Sequence, residues 1–198
     1  YIMSSTVMKS IKDRKNPNDI VYTPQKIVDI MCTDIDTEMS ILDPCSGKDI
    51  FYNTFKNTQK YKCEIEKGND FFDFDNHVEL IYGNPPYSIL TKWLEHSFKV
   101  ATKKIKYIIG MYSVTPCRLD LAKKYGWCVT SLILTQVPTW FQRSYIITFE
   151  KKECDKMILF DYINLGNRCL YCGCPCGGSR GENIKHCKRK MTDTECSY

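Results

Sequence analysis

The sequence predicts an α/β fold: a mostly parallel sheet with helices on both faces and an antiparallel terminal strand. Short apolar runs alternate with amphipathic stretches through the first two thirds of the chain, the pattern of parallel strands joined by crossover helices. Two of these runs stop at prolines: Ile41-Leu42-Asp43 before Pro44, and residues 78–83 before Asn84-Pro85-Pro86-Tyr87. Proline cannot donate to a sheet ladder, so the chain must leave the sheet at the strand's carboxyl end. That edge is where open α/β sheets bind ligands. Further on, residues 129–137 and Tyr145-Ile146-Ile147-Thr148-Phe149 are separated only by Pro138-Thr139-Trp140-Phe141-Gln142-Arg143-Ser144. They read as a hairpin, which supplies the antiparallel strand.

The elements follow in order. Residues 1–18 are a polar arm carrying Lys9, Lys12, Arg14 and Lys15, read as solvated charge or as phosphate contacts. Residues 19–165 form the main domain and 166–198 a cysteine-rich tail. In Tyr22-Thr23-Pro24 the threonine suits an N-cap and the proline a first helical position, and Ile27, Val28 and Met31 make an apolar stripe. Strand 41–43 ends on a carboxylate. The tight turn Pro44-Cys45-Ser46-Gly47 leads into a helix with Ile50, Phe51 and Phe55. Residues 61–65 read as a second strand. After the central turn, Leu90, Trp93, Leu94, Phe98 and Ala101 fit a helix with one apolar face, and Lys103, Lys104 and Lys106 complement the dipole near its C-terminus. A buried strand at 105–111, a short helix from Thr115-Pro116 to Gly126, the hairpin and a run at 157–163 complete the domain.

Strand, small-residue turn and helix is the layout of a nucleotide-binding first βα unit. The turn holds a single glycine, Gly47, so it is neither a dinucleotide GxGxxG nor a phosphate-binding GxxxxGK[ST]. It suits a cofactor with little or no phosphate. Glu64, after the second strand, is placed to accept from ribose hydroxyls, and reads equally as a surface carboxylate. Asp70-Phe71-Phe72-Asp73-Phe74 offers carboxylates beside rings, as a flat heterocycle requires or as core packing explains. Trp140 and Phe141 read as a stacking surface or as a plug over the core.

The ordered set Tyr22-Thr23-Pro24, Asp43-Pro44-Cys45-Ser46-Gly47, Glu64, Asp70-Phe71 and Asn84-Pro85-Pro86-Tyr87 resembles the adenine-specific DNA methyltransferases that use S-adenosylmethionine. Among them the small phage- and giant-virus-type enzymes look closest. The resemblance covers about residues 19–150 and implies a Rossmann-like class I methyltransferase. It implies that Tyr22 and Thr23 hold the cofactor's methionine end, with Thr23 at the carboxylate, and that Asp43, Pro44, Cys45 and Gly47 shape that pocket. Glu64 would bind the ribose, and Asp70 and Phe71 the adenine. Asn84 and the carbonyl of Pro85, stiffened by Pro86, would accept both hydrogens of the target amine. Tyr87, with Trp140 or Phe141, would clamp a target base flipped out of DNA. The same tetrapeptide occurs in enzymes that methylate RNA bases or protein glutamine, so those substrates, or a silent nucleic-acid-binding paralogue, stand as alternatives. The chain departs from the family in following Gly47 with Lys48, Asp49 and Ile50, whose side chains could crowd the cofactor. It also shows no obvious target-recognition domain, so a partner is expected to supply sequence recognition unless a loop does.

Composition agrees with a globular chain of 198 residues, 43% hydrophobic and 26% charged, with net charge +5, which permits a polyanionic partner. No apolar stretch is long enough to span a bilayer and the N-terminus lacks a signal-peptide core, so no membrane partner is expected. The expected location is intracellular, in cytoplasm or nucleus, of a host cell if the protein is viral. In the tail, Cys169, Cys172, Cys174, Cys176, His186 and Cys187 form a candidate zinc site of knuckle-like spacing, or an oxidation-prone unstructured segment.

Overall fold

A computed structural model describes residues 21–137, 140, 143–153 and, as backbone, 159–164. They form one seven-stranded sheet in the order β2-β1-β3-β4-β6-β5-β7. Strand β1 (Ile41–Asp43) runs parallel to β2 (Lys60–Lys62) on one side and to β3 (Val78–Gly83) on the other. Strand β4 (Ala101–Gly110) continues parallel to β3. The expected antiparallel strand is β6 (Ser144–Glu150), inserted between β4 and β5 (Cys128–Gln136). Strand β7 (Leu159–Asn164) runs parallel to β5.

Helices cover both faces. Helices α1 (Gln25–Met31) and α2 (Ile50–Thr54) pack Ile27, Val28, Met31 and Phe51 against Ile41, Leu80, Tyr82 and Ile108. Helices α3 (Leu90–Val100) and α4 (Pro116–Lys124) pack Leu90, Leu94, Phe98 and Ala122 against Leu42, Ile81, Tyr107 and Phe149. Consecutive strand residues such as Ile41 and Leu42, or Leu80 and Ile81, thus enter opposite cores. This is why Ile41-Leu42 in β1 and Leu80-Ile81-Tyr82 in β3 are apolar at consecutive positions instead of alternating.

Several local expectations shift. Thr23 does not cap α1: Pro24 is the N-cap, no side chain caps the helix, and the first turn is closed by Ile27 N–H donating to Pro24 O at 2.9 Å. Strand β2 ends at Lys62 because Glu64 turns away to pair with Asn69, each residue's N–H donating to the other's carbonyl at 2.8 and 3.1 Å. Lys103, Lys104 and Lys106 lie on β4, which begins directly after α3. They pair there with Glu79 (2.7 Å), with Asp34 (3.3 Å) and again with Asp34, respectively, so they serve ion pairs along this central strand and not the helix dipole. The basic arm and the six candidate zinc ligands lie outside the described residues. Among the described residues the cysteines Cys32, Cys45, Cys63, Cys117 and Cys128 are free thiols, and no helix is long and apolar enough to cross a membrane.

Candidate functional site

Strand order reverses between β2-β1 and β3-β4, so the loops leaving β1 and β3 diverge and open a crevice at their carboxyl ends. A cavity of about 230 Å³ occupies that crevice. The two loops approach closely because β3 ends on glycine. A Cβ on Gly83 would lie 3.2 Å from Pro44 Cδ and 3.5 Å from Asp43 Oδ1.

The β1 loop makes one wall, with Pro44, Cys45, Gly47 and Lys48 lining the cavity. Asp43 lies behind this wall, 1% exposed, with Oδ1 accepting from Cys45 N–H at 3.4 Å. Its Oδ2 has no partner among the described residues. Burial pushes its pKa up to about 7, against the bonds from the Cys45 and Tyr52 backbone. Gly47 and Asp49 both take left-handed backbone conformations, with φ of 50° and 63°. Aspartate tolerates that region better than most residues. Its carboxylate is held by Lys62 at 3.0 Å and Lys67 at 3.1 Å. The loop therefore turns without the extra glycines. Lys48 is exposed, its ammonium 4.1 Å from the centre of the Tyr22 ring, so its charge is drawn onto that ring at the cavity wall.

The opposite wall carries Glu64, Asp70 and Phe71. Glu64 already has two jobs: one oxygen accepts from Gly47 N–H and the other from Glu66 N–H at 3.3 Å. It locks the second strand's end to the β1 loop, and each oxygen keeps a lone pair for a hydroxyl donor. Asp70 Oδ1 accepts from Phe72 N–H at 3.0 Å. Phe71 is 1% exposed, with its ring centre 4.6 Å from both Trp93 and His96. It is a core ring that also floors the cavity.

The chain before α1 forms the third wall through Val21, Tyr22 and Thr23. It fixes Asn84: the side-chain Nδ2 donates to Val21 O at 2.9 Å, which leaves the amide oxygen as an acceptor on the cavity wall. From the other side the Cys45 thiol lies 3.0 Å from the Asn84 backbone carbonyl and donates to it. Burial raises the pKa of Cys45 well above the ordinary thiol value, so it stays a protonated donor. Pro86 lines the cavity while Pro85 is buried behind it. The Tyr87 hydroxyl lies 3.5 Å from Ile108 O on β4.

Trp140 does not line the cavity. It packs, half-buried, with the cluster on the α1 and α2 face, whereas Tyr87 packs with the cluster on the α3 and α4 face. The plug reading describes Trp140 in this structure, and Phe141 lies outside the described residues. Sequence reasoning missed Val21, Ile65, Ile89 and Trp93 as lining residues. Ile89 and Trp93 are four apart around the start of α3 and share a face, a spacing that the sequence displays. Val21 carries no signal, because its bond to Asn84 is made through the backbone carbonyl, which any residue would supply. No cluster of metal-ligating side chains occurs among the described residues.

No protein-family model matches the sequence, and no curated protein matches it. The fold, in contrast, is shared by many solved structures. One is a Listeria monocytogenes protein assigned to the class I S-adenosylmethionine-dependent methyltransferases, with TM-score 0.58 and 12% identity, over 79% of this chain and 70% of that one. A second is the modification subunit assigned to a type I restriction enzyme of Vibrio vulnificus, with TM-score 0.57 and 12% identity over 81% of this chain. The match spans half of that subunit's length. A third is the magnesium protoporphyrin IX methyltransferase of Synechocystis, with TM-score 0.51 and 11% identity, over 77% and 86%. The chain thus has the Rossmann-like class I methyltransferase fold. One fold hosts many functions, so the substrate has to be argued from the site.

Proposed function

We propose that the protein transfers the methyl group of S-adenosylmethionine to the exocyclic N6 amine of adenine in DNA. The observation that carries this reading is the clamped amide of Asn84, whose oxygen is the acceptor left on the wall of the cavity between β1 and β3.

The residues present fit that cofactor. Glu64 and Asp70 supply acceptors for hydroxyl and amine donors, and Ile65, Phe71, Ile89 and Trp93 supply apolar surface for a flat ring. Thr23 and the loop from Pro44 to Gly47 also line the cavity and are the residues we assign to the methionine portion. Lys48 also lines the cavity, with its ammonium over the Tyr22 ring. Bound in this cavity, the cofactor would supply an electrophilic methyl carbon on a sulfonium: the nitrogen–carbon bond would form as the sulfur–carbon bond breaks, leaving a neutral thioether, and the methylated amine would release one proton to solvent.

The chain's own contribution is to sharpen the nucleophile. An aromatic amine is sluggish because its lone pair is delocalised into the ring. Two acceptors on its hydrogens would favour a tetrahedral nitrogen: the side-chain oxygen of Asn84, a lining residue, and the carbonyl of Pro85, which lies behind Pro86. They also stabilise the positive charge that grows on it. Both are held before substrate arrives, Asn84 by Val21 and Cys45 and the proline carbonyl by ring-restricted backbone, so little reorganisation remains. Tyr87 offers a ring for the base.

The test is incorporation of labelled methyl from the cofactor into duplex DNA, read as N6-methyladenine by mass spectrometry. Asn84→Ala should lower transfer by about 100-fold or more, with cofactor affinity nearly unchanged by calorimetry. Label found only in RNA or protein assigns the site to that substrate class instead. Absence of cofactor binding by the intact chain overturns the reading.

A further inference from the structure

We propose that Tyr112 is a stacking platform for the base that flanks the target nucleotide on the same strand. This rests on the nucleic-acid substrate proposed above.

Among the described residues three large apolar side chains are exposed: Tyr22, Tyr61 and Tyr112. Tyr22 is covered by the Lys48 ammonium, and Tyr61 meets Phe74 edge-on at 6.0 Å. Tyr112 is 78% exposed, and no ring or ammonium among the described residues packs on it. Its position adds to this. It follows β4, which runs parallel to β3 with Gly83 opposite Tyr107 and continues past it to Gly110, leaving the sheet at the same edge as Asn84. The Tyr87 hydroxyl reaches back to Ile108 O on the same strand.

The turn that carries Tyr112 is braced at both ends. Met111 N–H donates to Arg143 O at 3.0 Å. Arg118 donates from Nη1 to Ser113 O at 2.7 Å and from Nε to Thr91 Oγ1 at 3.1 Å. Thr91 is in the first turn of α3, directly behind the Asn84-Pro85-Pro86-Tyr87 turn. Both turns are therefore tied to one helix start. A ring held outward on a braced turn loses little backbone freedom when it stacks, which is what a recognition aromatic needs. Arg143 is exposed at the foot of β6, beside this turn, and offers a cation for the strand's phosphate. Base stacking on such a ring tolerates any sequence, because every base has a π face.

The experiment uses the full chain and a short oligonucleotide with 2-aminopurine next to the target adenine. Three proteins are compared: wild type, Tyr112→Ala and Tyr112→Phe. Tyr112→Ala should weaken oligonucleotide binding roughly ten- to a hundredfold and abolish the quenching of 2-aminopurine. Tyr112→Phe should retain both. Cofactor affinity by calorimetry should be equal in all three, because Tyr112 does not line the cavity, and this also shows that the variants are folded. Unchanged affinity and quenching in Tyr112→Ala overturn the inference while leaving the methyltransferase reading intact. Wild-type protein that binds cofactor but no oligonucleotide overturns it as well, and then the missing methylation of DNA reports the failure of the underlying reading separately.

Discussion

Asp43 is a carboxyl sealed behind the β1 loop, and burial dominates its titration. Burial lifts its pKa from 3.8 to about 7, so the folded chain keeps a proton that the unfolded chain releases. A raised carboxyl pKa contributes stability that is fully present below the unfolded value and is lost as pH rises through the folded one. Stability should therefore decline between about pH 4 and pH 7, by about 1.4 kcal/mol for each pH step of one. Asp49 works in the opposite sense and in a separate window. The Ser46 hydroxyl, with Lys62 and Lys67, holds its pKa down to about 2, so its contribution disappears only as pH falls through that value. Urea denaturation of Asp43→Asn across pH 4 to 8 is expected to show a flatter profile than wild type and greater stability at the alkaline end. An unchanged slope would assign the titration elsewhere. Residue types were legible here better than their tasks. Asp43, Glu64 and Asn84 stood out as polar groups at strand ends, but a sequence does not show that Asp43 is sealed behind its loop. Nor does it show that Glu64 already holds Gly47, because both facts depend on how two distant loops meet.

The two loops that frame the cavity meet because β1 and β3 are neighbours and because one of them ends on a residue without a side chain. Gly83→Ala would put a methyl 3.2 Å from the Pro44 ring, tighter than ordinary contact, so the β1 loop must move outward by a few tenths of an ångström. The expected cost is about 1 kcal/mol of stability, the scale of mild overpacking. Cofactor affinity should drop severalfold, because Pro44 and Cys45 line the cavity. Calorimetry and denaturation on the same variant separate the two effects; unchanged cofactor affinity would show that the loop position does not matter for binding. Element by element, β1 and β3 were readable because apolar runs are cut by prolines, a local and unambiguous stop. The start of α1 misled because Thr23 has the chemistry of a cap but is drawn into the cavity wall, leaving Pro24 at the cap position. The true end of β2 depends on a backbone pairing between Glu64 and Asn69, which side-chain patterns do not encode. The insertion of β6 between β4 and β5 is a long-range choice, invisible in either strand alone.

At the scale of the whole molecule, the cavity is a junction of chain segments far apart in sequence: residues 21–23, the β1 loop, the stretch from Glu64 to Phe71 and the turn after β3. Direct bonds join them at a handful of points: Asn84 to Val21, Cys45 to Asn84, Gly47 to Glu64, and Lys67 to Gly47 O and Asp49. A ligand that touches all four segments acts as a cross-link present only in the folded state, so it must raise the unfolding temperature by mass action. At a concentration about 100 times its dissociation constant, S-adenosylmethionine should add about 2.7 kcal/mol. For a domain of this size that raises the melting temperature by very roughly 5 to 10 °C. Glu64→Ala should reduce this rise by two routes at once, losing an acceptor for the ligand and releasing Gly47 from its tether. Glu64→Gln separates them: its amide oxygen still accepts from Gly47, while the charge that favours hydroxyl donors is gone. If ligand binding is the larger role, the glutamine variant should resemble wild type in ligand-free melting temperature but alanine in its response to the cofactor. Should the glutamine and alanine variants both melt like wild type and respond in full, neither role belongs to Glu64, and the recognition of the cofactor's sugar must lie with another lining group.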